Sequence, residues 1–149
     1  MSKSEQDQVR EMLAEAGYSE KAIDYVLSRE QIGVLEDADH STLVKGPCGD
    51  TMRISLKLEG DKIKDAKMEV LGCPGAVASA CAVIDLAKGK DLEEAEKIDL
   101  ESLFKVVEKL PDQKVHCAKL ALATLKRALR EYKEKTGKGA EKEKAEAAG

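Results

Sequence analysis

The spacing of hydrophobic residues at the start of the chain predicts two helices. Val9, Met12 and Leu13 follow a helical period and should share one face, which ends at Gly17. Ser19 then stands where a helix cap is expected, before a second apolar stretch at helical spacing. The first 29 residues are therefore predicted to be helical, and an acidic connector follows over residues 34–41.

A different spacing begins near residue 52 and predicts strands. Apolar and polar residues alternate over 52–58 and again over 66–70, with a turn at 59–62 between them. This period of two is typical of an antiparallel hairpin with one buried face. Residues 41–46 are predicted to add a third strand. Helices must cover the apolar face, because a hairpin alone is marginally stable in water.

Helical spacing returns after residue 73. Pro74 and Gly89 mark the start and end of an alanine-rich helix over 74–88, and Asp91 and Asp99 can cap two further helices. Beyond Pro111 a long helix is predicted over about 114–134. We therefore predict an α+β fold: a small, mainly antiparallel sheet of three strands packed against helices, with an extra N-terminal helix. The predicted organisation is a helical extension over 1–17, one domain over 18–134 and a flexible tail over 135–149.

Composition narrows the classes of function. Charged residues make up 36% of the 149 residues, yet the net charge is only −4, which is typical of solvated helix faces and does not favour nucleic-acid binding. No apolar stretch approaches the length of a membrane span. The N-terminal segment is rich in acids and lacks the apolar core of a signal peptide. We therefore expect a cytoplasmic protein without a membrane segment, whose thiols stay reduced.

Three of the four cysteines lie where predicted elements begin or end. Cys48 lies in a glycine-rich loop before the hairpin, Cys73 lies between the hairpin and a helix, and Cys117 lies near the start of the last helix. Three chain segments can thus deliver one thiol each to one end of the sheet. Asp50 and His116 add an oxygen and a nitrogen donor, so the set can satisfy four-coordinate iron or zinc.

Each candidate also has a simpler interpretation, because a free cysteine is often a small buried hydrophobic residue. That interpretation is favoured for Cys81, which shares an apolar helix face and lies about 12 Å along the helix from Cys73. His40 is interpreted as a solvated loop histidine and Lys114 as an ordinary lysine in the first turn of the last helix. For Cys48, Cys73 and Cys117 the pattern leaves both a metal site and simple burial open.

Five short segments carry a more specific signal together than separately. They are Gly46-Pro47-Cys48-Gly49-Asp50, Gly72-Cys73 with the alanine-rich helix after it, Lys114-Val115-His116-Cys117, residues 88–95 (KGKDLEEA) and residues 18–24 (YSEKAID). In order and spacing they resemble the IscU/NifU-type iron–sulfur cluster assembly scaffolds over about residues 18–134. The interval of 44 residues from Cys73 to Cys117 resembles this branch, whereas the zinc-bound SufU-type relatives carry an insertion there.

The resemblance implies a fold, a function and a set of ligands. It implies an α/β sandwich that assembles a transient [2Fe–2S] cluster from iron and persulfide sulfur, as a scaffold without enzymatic turnover. The implied ligands are Cys48, Cys73 and Cys117, with Asp50 or His116 as the fourth donor. The position of Cys117 is a favoured persulfide acceptor in this family, and that of Asp50 keeps the cluster labile. Zinc often occupies the empty site.

The resemblance also implies partners. These are a cysteine desulfurase, iron–sulfur acceptor proteins, a ferredoxin, an Hsp70-type chaperone and a second copy of the chain when the cluster is loaded. The chaperone-recognition stretch, commonly Leu-Pro-Pro-Val-Lys, reads Leu110-Pro111-Asp112-Gln113-Lys114 here and differs at its centre. Two rival functions stay open from the residues alone: a zinc-dependent sulfurtransferase of the SufU type and a structural zinc-binding domain.

Overall fold

The computed structural model describes residues 2–47 and 49–136, which form a three-stranded antiparallel sheet with helices packed on one face. The predicted α+β class is confirmed. In chain order the elements are α1 (Lys3–Ala16), α2 (Glu20–Ser28), β1 (His40–Lys45), β2 (Thr51–Glu59), β3 (Lys62–Leu71), α3 (Pro74–Ala87), α4 (Leu92–Glu96), α5 (Leu100–Val107), a 3₁₀ turn (Asp112–Lys114) and α6 (Val115–Thr136).

The strands lie in the order β1-β2-β3, and the alternation of apolar and polar residues along them gives the sheet one apolar and one polar face. Met52, Ile54 and Leu56 of β2 are fully buried, whereas Arg53 between them is exposed, as the alternation predicted. Helix α3 packs over β3, and α6 packs over β1 and β2. The two helices also contact each other, so the main core lies between them and the sheet.

The side chains of α3 are apolar around most of the helix, because the helix is covered by the sheet, α2, α5 and α6. Cys81 belongs to this core and is fully buried, which confirms the simpler interpretation of this cysteine. Burial, with the charge of Asp85 as a lesser cause, raises the pKa of the Cys81 thiol to about 12. Cys81 is therefore an inert packing residue at neutral pH.

The predicted N-terminal helix is present and packs on α2. Ser2 caps α1, and Gly17 ends it in the left-handed conformation (φ 107°) that glycine adopts without strain. Leu13 is buried, but Met12 is 68% exposed, so the prediction that Met12 shares the packed face was wrong. Consecutive helical residues point about 100° apart, which turns Met12 away from α2 when Leu13 faces it.

The interpretation of His40 as a solvated loop histidine was also wrong. His40 is the first residue of β1, and its side chain is only 13% exposed. Its Nε2 lies 2.9 Å from the Thr42 hydroxyl and 3.3 Å from the Glu131 carboxylate of α6. The contact joins residues 91 positions apart in the sequence, so local spacing could not reveal it.

The C-terminal boundary differs slightly from the prediction. Helix α6 continues to Thr136, two residues into the predicted tail, and 137–149 lie outside the described residues. Within the described part of the chain, none of the helices combines the length and the apolar character that crossing a membrane requires.

Candidate metal centre

Three chain segments bring their polar side chains together at one end of the sheet. Asp50 directly precedes β2, and Cys73 occupies the N-cap position of α3, after β3. The pairing of Thr51 with Leu71 in the β2–β3 ladder sets Asp50 beside this exit. Cys117 lies in the first turn of α6, which crosses the same end. The sheet register therefore builds the site that the sequence predicted from separate loops.

The side-chain atoms of this cluster lie at contact distance. The Cys73 and Cys117 sulfurs are 3.6 Å apart, and Asp50 Oδ2 lies 3.9 Å from the first and 3.6 Å from the second. His116 Nε2 lies 3.5 Å from the Cys117 sulfur. The structure thus gathers four of the five predicted site residues: Asp50, Cys73, His116 and Cys117.

The distances suit ligands of a single ion. Two thiolates bound at 2.3 Å to a tetrahedral zinc ion lie about 3.8 Å apart, close to the 3.6 Å found between Cys73 and Cys117. The possible ligand atoms of Asp50, His116 and Cys117 all lie within 4.8 Å of one another. These three residues offer one donor set of the kind that zinc or iron accepts, and the Cys73 sulfur adjoins it through Asp50 and Cys117.

Cys48, the fifth predicted ligand, lies outside the described residues, so its place in the site stays a prediction. The structure describes the residues on either side of Cys48. The Gly46 N–H donates to the Asp50 carbonyl at 2.7 Å, and the Gly49 N–H donates to the Gly46 carbonyl at 3.1 Å. Gly49 is in the left-handed region (φ 89°). This tight turn returns the chain to Asp50 and so fixes where β2 begins.

Gly72 permits the close approach of Asp50 to the thiols. A Cβ added to Gly72 would lie 2.8 Å from Asp50 Oδ1, a distance that would displace the carboxylate. Gly75 has a similar role on the other side, where an added Cβ would lie 2.9 Å from the Lys114 Cβ. Lys114 itself belongs to the 3₁₀ turn before α6, not to the first turn of the helix as predicted.

The electrostatics of the metal-free site favour a protonated thiol at Cys117. Burial is the main cause that raises its pKa well above the usual thiol range, and the neighbouring Cys73 and Asp50 add to it. A thiol must lose its proton to bind a metal ion, so cation binding and proton release are coupled here.

Tyr18 is a site residue that the sequence reasoning missed. Its side chain is buried, and its hydroxyl lies 3.3 Å from where a Cβ on Gly75 would be. Burial, followed by the charges of Cys73 and Cys117, raises the Tyr18 pKa to about 12, so the phenol keeps its proton at neutral pH. Only the packing of the segment after α1 against residues 107–111 brings Tyr18 here, and no local pattern signals that packing.

Fold and site together define a small α+β domain with candidate metal ligands at one end of an antiparallel sheet. Residues 17–139 match the NifU-like N terminal domain, and the chain belongs to this family. The match begins after α1, which is therefore an addition to the family's domain in this chain.

Named relatives and a solved structure agree with this assignment. The iron-sulfur cluster assembly scaffold protein IscU 1 of Archaeoglobus fulgidus is 39% identical over 122 residues, covering 81% of this chain and 80% of that protein. The scaffold protein IscU of Escherichia coli K12 is 37% identical over 123 residues, covering 79% and 95%. A putative iron-sulfur cluster assembly scaffold protein for the SUF system from Fervidobacterium islandicum superposes with a TM-score of 0.64 at 30% identity, covering 75% and 96%.

Proposed function

We propose that this protein is a scaffold on which an iron–sulfur cluster is assembled from iron and persulfide sulfur and then passed to acceptor proteins. The observation that carries the proposal is the pair of thiols 3.6 Å apart that share one carboxylate oxygen. Thiolates bind iron and sulfide strongly, whereas a carboxylate is a weaker partner for an iron–sulfur centre. Such a mixed site holds a cluster but also releases it.

Each site residue has a role in this proposal. Cys48, Cys73 and Cys117 supply thiolates to a [2Fe–2S] cluster, and Cys117 carries the persulfide sulfur before iron and sulfur combine. Asp50 is the fourth ligand, because its Oδ2 faces both described thiols. His116 contacts Cys117 and lies within 4.8 Å of Asp50, and it is the donor that replaces Asp50 when the carboxylate moves away. Zinc is the ion that the same ligands hold when no cluster is present.

The proposed partners are those that the family resemblance implies. A cysteine desulfurase supplies the sulfur, a ferredoxin supplies electrons, and apo iron–sulfur proteins accept the cluster, all in the cytoplasm. An Hsp70-type chaperone assists release if Leu110–Lys114 is recognised despite its altered centre. A second copy of the chain covers the cluster while it is bound.

Anaerobic reconstitution with iron, sulfide and a thiol tests the proposal. The wild-type protein is expected to gain a visible iron–sulfur spectrum and to lose it on addition of an apo-ferredoxin, which gains the cluster. A Cys73→Ser, Cys117→Ser double variant is expected to gain no spectrum, whereas Cys81→Ala is a matched control that should load normally. A colourless wild-type protein that keeps stoichiometric zinc would overturn the proposal in favour of a zinc-dependent sulfurtransferase.

A further inference from the structure

The two described thiols of the site differ sharply in access. The Cys117 residue is fully buried, whereas Cys73 is partly exposed at the rim. Cys117 is enclosed by Asp50, Cys73 and His116, each with an atom 3.5–3.6 Å from its sulfur. Persulfide transfer requires direct contact between the attacking sulfur and the sulfur being transferred, so its rate depends on access. A sulfur donor in solution meets Cys73 before it can reach Cys117.

We infer that Cys73 is the entry point for sulfur and that it hands the sulfur to Cys117 in a two-cysteine relay. This inference rests on the proposed function and adds the route by which sulfur reaches the buried thiol. Cys73 occupies the N-cap position of the 14-residue helix α3, at the rim of the site, where its partly exposed side chain can meet a sulfur donor.

The first step is an exchange between the donor persulfide and Cys73. The Cys73 thiolate attacks the outer sulfur of the donor, R–S–SH. A new S–S bond forms on Cys73, the S–S bond of the donor breaks, and its electron pair leaves with R–S⁻. The products are the Cys73 persulfide and the donor thiolate. No outside oxidant or reductant is consumed, because one S–S bond replaces another.

The second step repeats the exchange inside the site. The Cys117 sulfur attacks the outer sulfur of the Cys73 persulfide, and the bond of that sulfur to Cys73 breaks. The proton of Cys117 passes to the departing Cys73 thiolate through Asp50, whose Oδ2 lies 3.6 and 3.9 Å from the two sulfurs. The net products are the Cys117 persulfide and the Cys73 thiol.

The two cysteines are close enough for this transfer after a small displacement. Two S–S bonds of about 2.05 Å in line span about 4.1 Å, and the partial bonds of an exchange are longer. The two sulfurs are 3.6 Å apart, so they must separate by more than about half an ångström to place the transferred sulfur in line between them. Cys81 is fully buried in the core and hydrogen-bonds to the Tyr25 carbonyl, at 3.8 Å, instead of to the site. It lies outside this route.

Site-resolved persulfide mapping tests the relay with glutathione persulfide as the probe. Metal-free protein is exposed to a brief pulse, quenched by alkylation, digested, and analysed by mass spectrometry for peptides that gain one sulfur. In the wild type, label is expected on Cys73 first and on Cys117 later. Cys73→Ser is expected to slow labelling of Cys117 about tenfold or more, because only direct access remains. Cys117→Ser is expected to leave a long-lived label on Cys73.

Two results would overturn the relay: undiminished labelling of Cys117 in Cys73→Ser, or absence of label from Cys73 in Cys117→Ser. Thermal unfolding of each variant, with Cys73→Ala as a second replacement, separates loss of the route from loss of the fold. Cys81→Ala is the matched control and should label like the wild type. Failure of the proposed function is distinct, since it would appear as a reconstituted wild-type protein without a cluster, whatever the labelling order.

Discussion

Asp50 is the residue whose contacts most directly affect how long a cluster stays bound. Its carboxylate faces both described thiols, and Gly72 leaves the space that it occupies. Because a carboxylate binds an iron–sulfur centre more weakly than a thiolate does, Asp50→Ala is expected to lengthen the lifetime of the reconstituted cluster severalfold. Decay of the visible absorbance in air measures this lifetime. An unchanged lifetime would show that Asp50 is not the ligand that makes the cluster labile.

At the residue scale, the sequence predicted which side chains would lie together when those residues stand at the ends of predicted elements. Cys73, Cys117 and Asp50 stand at the ends of predicted strands and helices, so the topology alone brings them to one end of the sheet. Tyr18 and His40 could not be placed in this way. Tyr18 reaches the site through the packing of the chain after α1, and His40 is buried by a helix that begins 75 residues later. Such contacts depend on tertiary packing instead of on local spacing.

Helix caps are the feature of single elements that the sequence predicted best. Ser19 Oγ accepts a hydrogen bond from the Ala22 N–H at 3.0 Å and also donates one to the Val107 carbonyl at 2.5 Å. The same hydroxyl therefore starts α2 and ties it to the end of α5. Asp91 and Asp99 cap α4 and α5 as predicted. A cap needs only its own first turn, which explains why these predictions held.

Removing the double role of Ser19 is expected to lower stability. Ser19→Ala should reduce the free energy of unfolding by about 1–2 kcal/mol, because a cap and a tertiary hydrogen bond are lost together. Ser2→Ala is the matched control, since Ser2 caps α1 in an exposed position without a second contact among the described residues. Urea unfolding measures both. Equal losses in the two variants would contradict the tertiary role of Ser19.

The contact of His40 and Thr42 in β1 with Glu131 in α6, here called the clamp, predicts that stability depends on pH. The Thr42 hydroxyl, and after it His40 and Arg127, lower the pKa of the Glu131 carboxyl. A lowered pKa stabilises the fold above the usual glutamate range, and this contribution is lost as the pH falls through the folded-state value. Glu131→Gln should therefore cost roughly 0.5–1 kcal/mol at neutral pH, and the difference should shrink in acid.

Unfolding midpoints of the wild type and of Glu131→Gln across neutral and acid pH measure this effect. Glu134→Gln, an exposed position on the same helix, is the matched control and should change little at any pH. A deficit in Glu131→Gln that stays constant down to strongly acid pH would show that charge at Glu131 does not stabilise the clamp.

At the scale of the whole molecule, we expect the fold to form without a bound ion. The main core lies between the sheet and helices α3 and α6, and the candidate site occupies only one end of this arrangement. Treatment with a chelator is therefore expected to leave the helical circular dichroism and a cooperative thermal transition in place. A structural zinc domain would unfold under the same treatment, because its binding energy is its folding energy.

The whole-molecule organisation was also the part of the fold that simple patterns could predict. Alternation over β2 and β3 and helical spacing after Cys73 fixed the order of elements and the apolar face of the sheet. The pattern could not predict how the added helix α1 sits, since its burial depends on a few contacts with α2. The error at Met12 has this origin.

Whether this protein assembles an iron–sulfur cluster is tested by its content of iron and acid-labile sulfide together with its visible spectrum. Both are measured on protein that is purified without oxygen and then reconstituted. We expect iron and sulfide in equal amounts and a visible iron–sulfur spectrum in the wild type, and loss of both in the Cys73→Ser, Cys117→Ser double variant. A colourless protein with stoichiometric zinc and no sulfide, before and after reconstitution, would contradict it.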